Sequence, residues 1–134
     1  MEFKIIVDKY PPSMKEIKDF LKKGDSGALF IFNGLVRDNN QGKEVEKLEY
    51  EIDKKTAINE LKRFIEKYNS KVKKIFIFQA EGLLNIGDDT IIIGISSYSR
   101  EESFKAVKEI LEFMKHNIPV WKKEYYKKGS NKWL

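Results

Sequence analysis

Five basic side chains stand where chemistry is possible. Arg37 opens a polar loop directly after an apolar run, Arg100 begins a helical stretch, and Lys115, Lys122 and Lys123 surround that stretch's far end. Arginine offers a fixed planar fork for phosphate or carboxylate, and lysine offers an amine that can gain or lose a proton. Arg100 and Lys115 fall at opposite ends of one predicted helix, so a pocket within one chain does not collect the whole set. A site built across two chains does, and it would hold a small, multiply anionic substrate.

Each residue also has a plainer reading. Lys115 lies four residues after Leu111 and beside Met114, at the border of a buried stripe. A partly desolvated lysine near other cations deprotonates more easily, which suits general-base or nucleophilic work; the alternative is a stem that covers apolar surface while its ammonium reaches water. Ser99-Arg100-Glu101-Glu102 reads as a capping box, and the free amides of that first turn beside Arg100 form a phosphate seat. Alternatively, Arg100 pairs with a nearby carboxylate. Lys122 shares a strand face with Val120 and Glu124, consistent with a site or with cross-strand ion pairing. Trp121 is expected to be a packing anchor, and Arg37 fits a functional loop and a turn equally well.

Familiar catalytic signatures are missing. Gly94-Ile95-Ser96-Ser97-Tyr98 lacks the second glycine of a nucleophile elbow, and Gly42-Lys43 is followed by Glu44 instead of the Ser or Thr of a P-loop. The absence of cysteine excludes disulfides, a cysteine nucleophile and sulfur carried on this chain's own thiol. His116 is the only imidazole and no carboxylate cluster stands out, so neither a metal nor a cofactor is expected. Between residues 115 and 134, six lysines against Glu124 account for the whole net charge of +5. The excess is local, marking a basic site or a solvated tail around Lys127, Lys128 and Lys132.

The elements that must hold these residues follow from periodicity. With 134 residues and 41% hydrophobic content, a single domain over 1–134 is expected. Strands are predicted at Phe3–Val7, Ala28–Val36 (buried on both faces), Leu48–Ile52, Lys74–Gln79 and Thr90–Ser97, with extended chain from Val120 to Tyr126. Helices are predicted from Ser13 to about Lys23, over 54–69, and over 100–117, the last with Phe104, Val107, Leu111 and Met114 on its core face. Ala80–Asp89 reads as an irregular connection. The order implies an α+β fold with a mostly antiparallel sheet and flanking helices. No apolar run is long enough to span a membrane and the N-terminus lacks a signal-peptide layout, so a cytoplasmic protein is expected.

Several stretches together resemble the large, catalytic subunit of molybdopterin synthase. They are Gly27 through Arg37, Leu48-Glu49-Tyr50-Glu51, Ser96-Ser97-Tyr98-Ser99-Arg100 with Phe104, and Met114-Lys115 through Ile118-Pro119-Val120-Trp121-Lys122-Lys123-Glu124. The Pro-x-Trp-Lys-Lys-Glu segment is the most specific. The resemblance implies an α/β-hammerhead fold and a central homodimer with a small sulfur-carrier subunit at each end. Each carrier inserts its thiocarboxylated C-terminal tail, and two sulfurs pass in turn to cyclic pyranopterin monophosphate to make the molybdopterin dithiolene. By position, Lys115 matches the principal catalytic lysine and Lys122 a second essential lysine that stabilises developing negative charge. Arg37 and Arg100 match contacts to the substrate anion, and Ser99, His116 and Lys123 stand with them as substrate-binding candidates. One departure matters: Ser99 occupies a position where histidine is common, and serine is no proton shuttle near neutral pH.

Two rival readings remain open from the sequence. A small RNA-binding α+β domain would use the basic C-terminal region with Trp121, Tyr125, Tyr126 and Trp133 for stacking. A catalytically silent scaffold would bind the same carrier without transferring sulfur.

Overall fold

The computed structural model describes residues 1–22 and 24–134. The chain runs β1 (Glu2–Asp8), α1 (Met14–Leu21), β2 (Ala28–Leu35), β3 (Asn39–Asn40), β4 (Lys43–Ile52) and α2 (Lys54–Ile65), the last extended by a 3-10 turn at Glu66–Tyr68. It continues through β5 (Lys74–Ala80), β6 (Gly82–Asn85), β7 (Asp89–Ser97), α3 (Arg100–Asn117), β8 (Val120–Tyr126) and β9 (Asn131–Trp133). The strands form two sheets. One has the order β1-β5-β7-β2, parallel only between β1 and β5; the other has the order β3-β4-β8-β9, with β6 also paired to β4.

Period-2 alternation explains the layering. On β5 and β7, Ile75, Ile77, Ile91, Ile93 and Ile95 face one core with Leu61 and Ile65 of α2 and Ala106, Ile110 and Met114 of α3. Phe76, Phe78 and Ile92 point the other way, toward Ile17 and Leu21 of α1 and Leu48 and Tyr50 of β4. The first sheet is therefore covered on both faces, which is why β7 is a continuous apolar run. A side chain at Gly94 would bring its Cβ within 2.5 Å of Leu21 Cδ1, so the glycine lets α1 settle onto β7.

Local signals set the helix ends. Ser13 Oγ accepts from the Glu16 amide at 3.2 Å, the N-cap bond that the sequence predicts, and its hydroxyl donates to Glu16 Oε1 at 3.3 Å. The predicted end of this helix near Lys23 lies outside the described residues. Asp53 caps α2 through the Thr56 amide at 3.3 Å. Pro119 follows α3, and Ile118 has already turned extended.

Four expectations are corrected. β2 is not buried on both faces: it lies at a sheet edge, with Leu35 59% exposed. Phe104 is not a core residue. The buried line of α3 runs through Ser103, Ala106, Val107, Ile110 and Met114, and Phe104 lies outside it with its ring 4.6 Å from that of Phe30. Trp121 is 54% exposed, because Val120, Lys122 and Glu124 take the inward positions of β8. The stretch after β5 is not wholly irregular, since Gly82–Asn85 pairs with β4. Among the described residues no helix is long and apolar enough to cross a membrane.

Candidate functional site

Three elements bring the basic residues together. In the β4–β8 ladder Lys122 stands opposite Tyr50 and Glu124 opposite Leu48, so these four side chains share one face. The last turns of α3 add Lys115, and the end of β2 adds Arg37. The result is a cavity of about 390 Å³ lined by Arg37, Lys115, Lys122, Glu124, Tyr50 and Thr90, among others. Gly34 keeps it open, since a Cβ there would lie 2.7 Å from Thr90 Oγ1. A second cavity of about 360 Å³ shares Tyr50, Ile91, Lys115 and Lys122 with the first and adds Gln79, Met114, Val120 and Leu134.

The carboxylate of Glu124 organises the first cavity. It is buried, and its Oε1 accepts from Asn40 Nδ2 at 2.8 Å and from the Tyr126 hydroxyl at 3.0 Å. Asn40 in turn accepts from Arg37 Nη2 at 3.2 Å, so the guanidinium is tied to the carboxylate through one amide. A buried carboxylate needs such partners to stay ionised. Two ammonium groups and a guanidinium against one carboxylate leave the cavity positive, suited to a multiply charged anion.

Of the two lysines in this cavity, Lys122 carries the desolvated amine. Burial holds its pKa below the ordinary lysine value; Glu124 opposes that shift, and Arg37 and Lys115 reinforce it. Lys115 is exposed, so the desolvation expected for it falls on its neighbour instead. A lysine with a lowered folded-state pKa disfavours its charged form in the fold. That penalty is complete below the folded pKa and is relieved as pH climbs toward the unfolded value. Removing the charge of Glu124 (Glu124→Gln) should push the Lys122 midpoint lower still, and Arg37→Ala should raise it. A 13C titration of the lysine ε-carbons reads both; midpoints moving in the same direction would contradict this electrostatic picture.

The remaining candidates lie elsewhere in the single chain. Arg100 is exposed at the first turn of α3, about 22 Å from Lys115 at 1.5 Å per residue. Ser99 does not cap that helix with its side chain. Ser97 takes over the local bonding, its Oγ contacting both the Ser99 carbonyl and Ser103 Oγ. His116 is exposed and outside both cavities. Lys123 projects from the opposite side of β8 to Lys122, with its ammonium 5.1 Å from the ring centres of Tyr125 and of Trp133.

Tyr50, Thr90 and Gln79 were missed as site residues by sequence reasoning, although a signal existed. Each is a side chain with a polar group at a buried strand position, Tyr50 on the inward face of β4 and Gln79 and Thr90 on the apolar strands β5 and β7, where an unmatched hydroxyl or amide is costly.

Comparison with known proteins places the chain in a family. A family profile described as "MoaE protein" matches residues 7–117. The molybdopterin synthase catalytic subunit of Dictyostelium discoideum is 39% identical over 113 residues, covering 81% of this chain and 72% of that protein. Among solved structures, molybdopterin synthase from Staphylococcus aureus superposes with a TM-score of 0.80 at 28% identity, covering 96% of this chain and 94% of that one. A structure described as the complex of subunits 1 and 2 of molybdopterin-converting factor from Helicobacter pylori has a similar fold, with a TM-score of 0.70 at 21% identity over 93% of this chain and 85% of that one. The chain belongs to the MoaE family, whose relatives include molybdopterin synthase catalytic subunits.

Proposed function

We propose that this chain is the catalytic subunit of a molybdopterin synthase, a sulfurtransferase of molybdenum-cofactor synthesis. Its sulfur comes from the C-terminal thiocarboxylate of a small carrier subunit and goes to cyclic pyranopterin monophosphate. The observation that carries this reading is the convergence of Arg37, Lys115 and Lys122 on one cavity, in a chain that matches the MoaE family from residue 7 to 117. The chain has no cysteine, and in this scheme the sulfur arrives on the carrier.

Chemically, the thiocarboxylate sulfur bonds to an electrophilic carbon of the pterin side chain as a carbon–oxygen bond at that carbon breaks, its electron pair going to oxygen, which takes up a proton; the product is a thioester between carrier and substrate. Water then adds to the acyl carbon, and the acyl carbon–sulfur bond breaks with its electron pair on sulfur. The carrier departs as a carboxylate, the thiolate stays on the pterin, and two protons are released. Lys115, exposed at the mouth of the cavity, is assigned proton transfer or activation of the acyl group. Lys122 is assigned the charge that develops on oxygen, and Arg37 the substrate's anion.

The same reading makes the protein a homodimer whose partner copy completes the site. β2 is an open edge, and Leu35, Tyr98 and Phe104 leave apolar surface exposed beside it. Ala28 pairs with Ser97, next to the start of α3, whereas Leu35 lies at the cavity with Lys115. Pairing β2 with its two-fold copy in antiparallel fashion sets the Ala28 end of one chain against the Leu35 end of the other. Arg100 and Ser99 of one protomer then approach the partner's cavity, which neither reaches at home.

RNA binding is less well supported, because Tyr126 is buried against Glu124 and the Tyr125 hydroxyl is engaged by Glu49 at 2.7 Å. The test of the enzymatic reading is reconstitution: chain, thiocarboxylated carrier and pyranopterin precursor together should yield the dithiolene pterin, and omitting any one should abolish it. Carrier binding without any dithiolene would point to a silent scaffold instead.

A further inference from the structure

The two cavities meet at one wall, and the residues of that wall are not all lysines. Tyr50 lines both cavities, stands directly across the ladder from Lys122, and is 8% exposed. Thr90, on β7, reaches the same place from the other sheet and hydrogen-bonds the Tyr50 phenol. Gln79 lines the second cavity and is itself buried, its amide donating to the Ala80 carbonyl at 2.8 Å. Six buried polar or charged side chains are found among the described residues, and three of them, Gln79, Thr90 and Glu124, border these two cavities. Glu124 and Gln79 have partners within the chain, so it is their place in the cavity walls that sets them beside a ligand held there.

Two chambers joined at a shared wall suit a reaction of two reactants. Both are bordered by Lys115 and Lys122; the first adds Arg37 and Glu124, and the second adds Gln79, Met114, Val120 and Leu134. Arg37 suits the first to a phosphate-bearing heterocycle, which leaves the second for the carrier's tail, and the reacting ends then meet beside the shared residues Tyr50, Lys115 and Lys122. We propose that Tyr50 is a further functional residue of the site, donating its phenolic hydrogen bond to the acyl oxygen of the carrier's terminus as water adds to the thioester. This rests on the sulfur-transfer reading above.

The hydroxyl suits that role physically. Burial pushes its pKa up to about 12, against the opposing bond from Thr90. It therefore stays a neutral donor while the Lys122 amine, its pKa lowered by burial, titrates. The charged groups around the junction are Lys122 on β8, Lys115 on α3, Arg37 after β2 and Glu124 on β8. A neutral donor among them can follow charge that develops on the acyl oxygen without adding repulsion of its own.

The test uses intact enzyme with thiocarboxylated carrier and precursor. Tyr50→Phe removes only the hydroxyl, and kcat should fall by about 10²-fold with the KM for carrier within a factor of about two, in line with loss of one oxyanion donor. Trifluorotyrosine at position 50 keeps the ring and lowers its pKa, so the alkaline limb of kcat should move to lower pH, a shift that a purely packing role would not produce. Tyr50→Phe turning over like the wild type, or an alkaline limb unmoved by fluorination, would overturn the proposal while leaving the sulfur-transfer reading intact. A wild-type enzyme that makes no dithiolene would overturn both.

Discussion

Lys115→Ala should lower dithiolene formation by about 10³-fold, the scale on which a positioned proton-transfer group contributes, while leaving the fold unchanged. The side chain is exposed, sits at the end of α3 and belongs to neither core. Exposed substitutions of this kind change stability by only about 0.5 kcal/mol, so the melting temperature should hardly move. Lys115→Arg separates a role in proton transfer or acyl activation from one of charge alone. Arginine keeps the positive charge but does not give up a proton near neutral pH. Activity that survives in the arginine variant would assign Lys115 to charge alone; activity lost in both would assign it to proton transfer or acyl activation. Turnover by Lys115→Ala close to the wild-type rate would remove the residue from the reaction.

Arg100→Ala should be nearly as damaging, although in its own chain the residue is remote from the cavity. A charge-assisted bond to a phosphate is worth about 1.5–3 kcal/mol, so kcat/KM for the precursor should fall by about 10- to 100-fold, mostly through KM. The expectation depends on the two-fold arrangement across β2. A helix that starts beside the Ala28 end of that strand and ends beside its Leu35 end is turned around in the partner copy. The arginine that opens α3 in one chain is thereby delivered to the lysine that closes α3 in the other. Carrier affinity should be unaffected in this variant, which separates a substrate contact from general damage to the dimer.

Much of this arrangement was legible from residue types and spacing. Alternation through Leu48, Tyr50 and Ile52, and through Val120, Lys122 and Glu124, placed a tyrosine and a lysine on inward faces of two strands. The ladder then set them opposite one another. Ser13 with Glu16, and Pro119 after α3, fixed helix ends by local rules alone. What was not legible depended on partners distant in sequence. The apolar run Ala28–Val36 resembles a central strand, yet it forms an edge whose covering, in the proposed dimer, comes from a second chain. Phe104 matches a helical core position but lies beside that same open edge, its ring tilted against that of Phe30. Ser99 has the composition of a cap, but its neighbour Ser97, pointing inward from β7, holds the start of α3 instead. Burial of the Glu124 carboxylate required Asn40, which lies eighty-four residues away.

The most direct test of a site shared between two chains is complementation between these two variants, assayed with precursor well below the KM of Arg100→Ala so that both parents turn over poorly. Lys115→Ala and Arg100→Ala chains are mixed in equal amounts, allowed to exchange subunits, and assayed with carrier and precursor, with hybrid formation followed by native mass spectrometry. Random exchange makes half the dimers hybrids, each with one intact and one doubly broken site, so about a quarter of wild-type activity should return if the arginine acts across the interface. Hybrids that form in full yet stay as inactive as their parents would contradict the shared site.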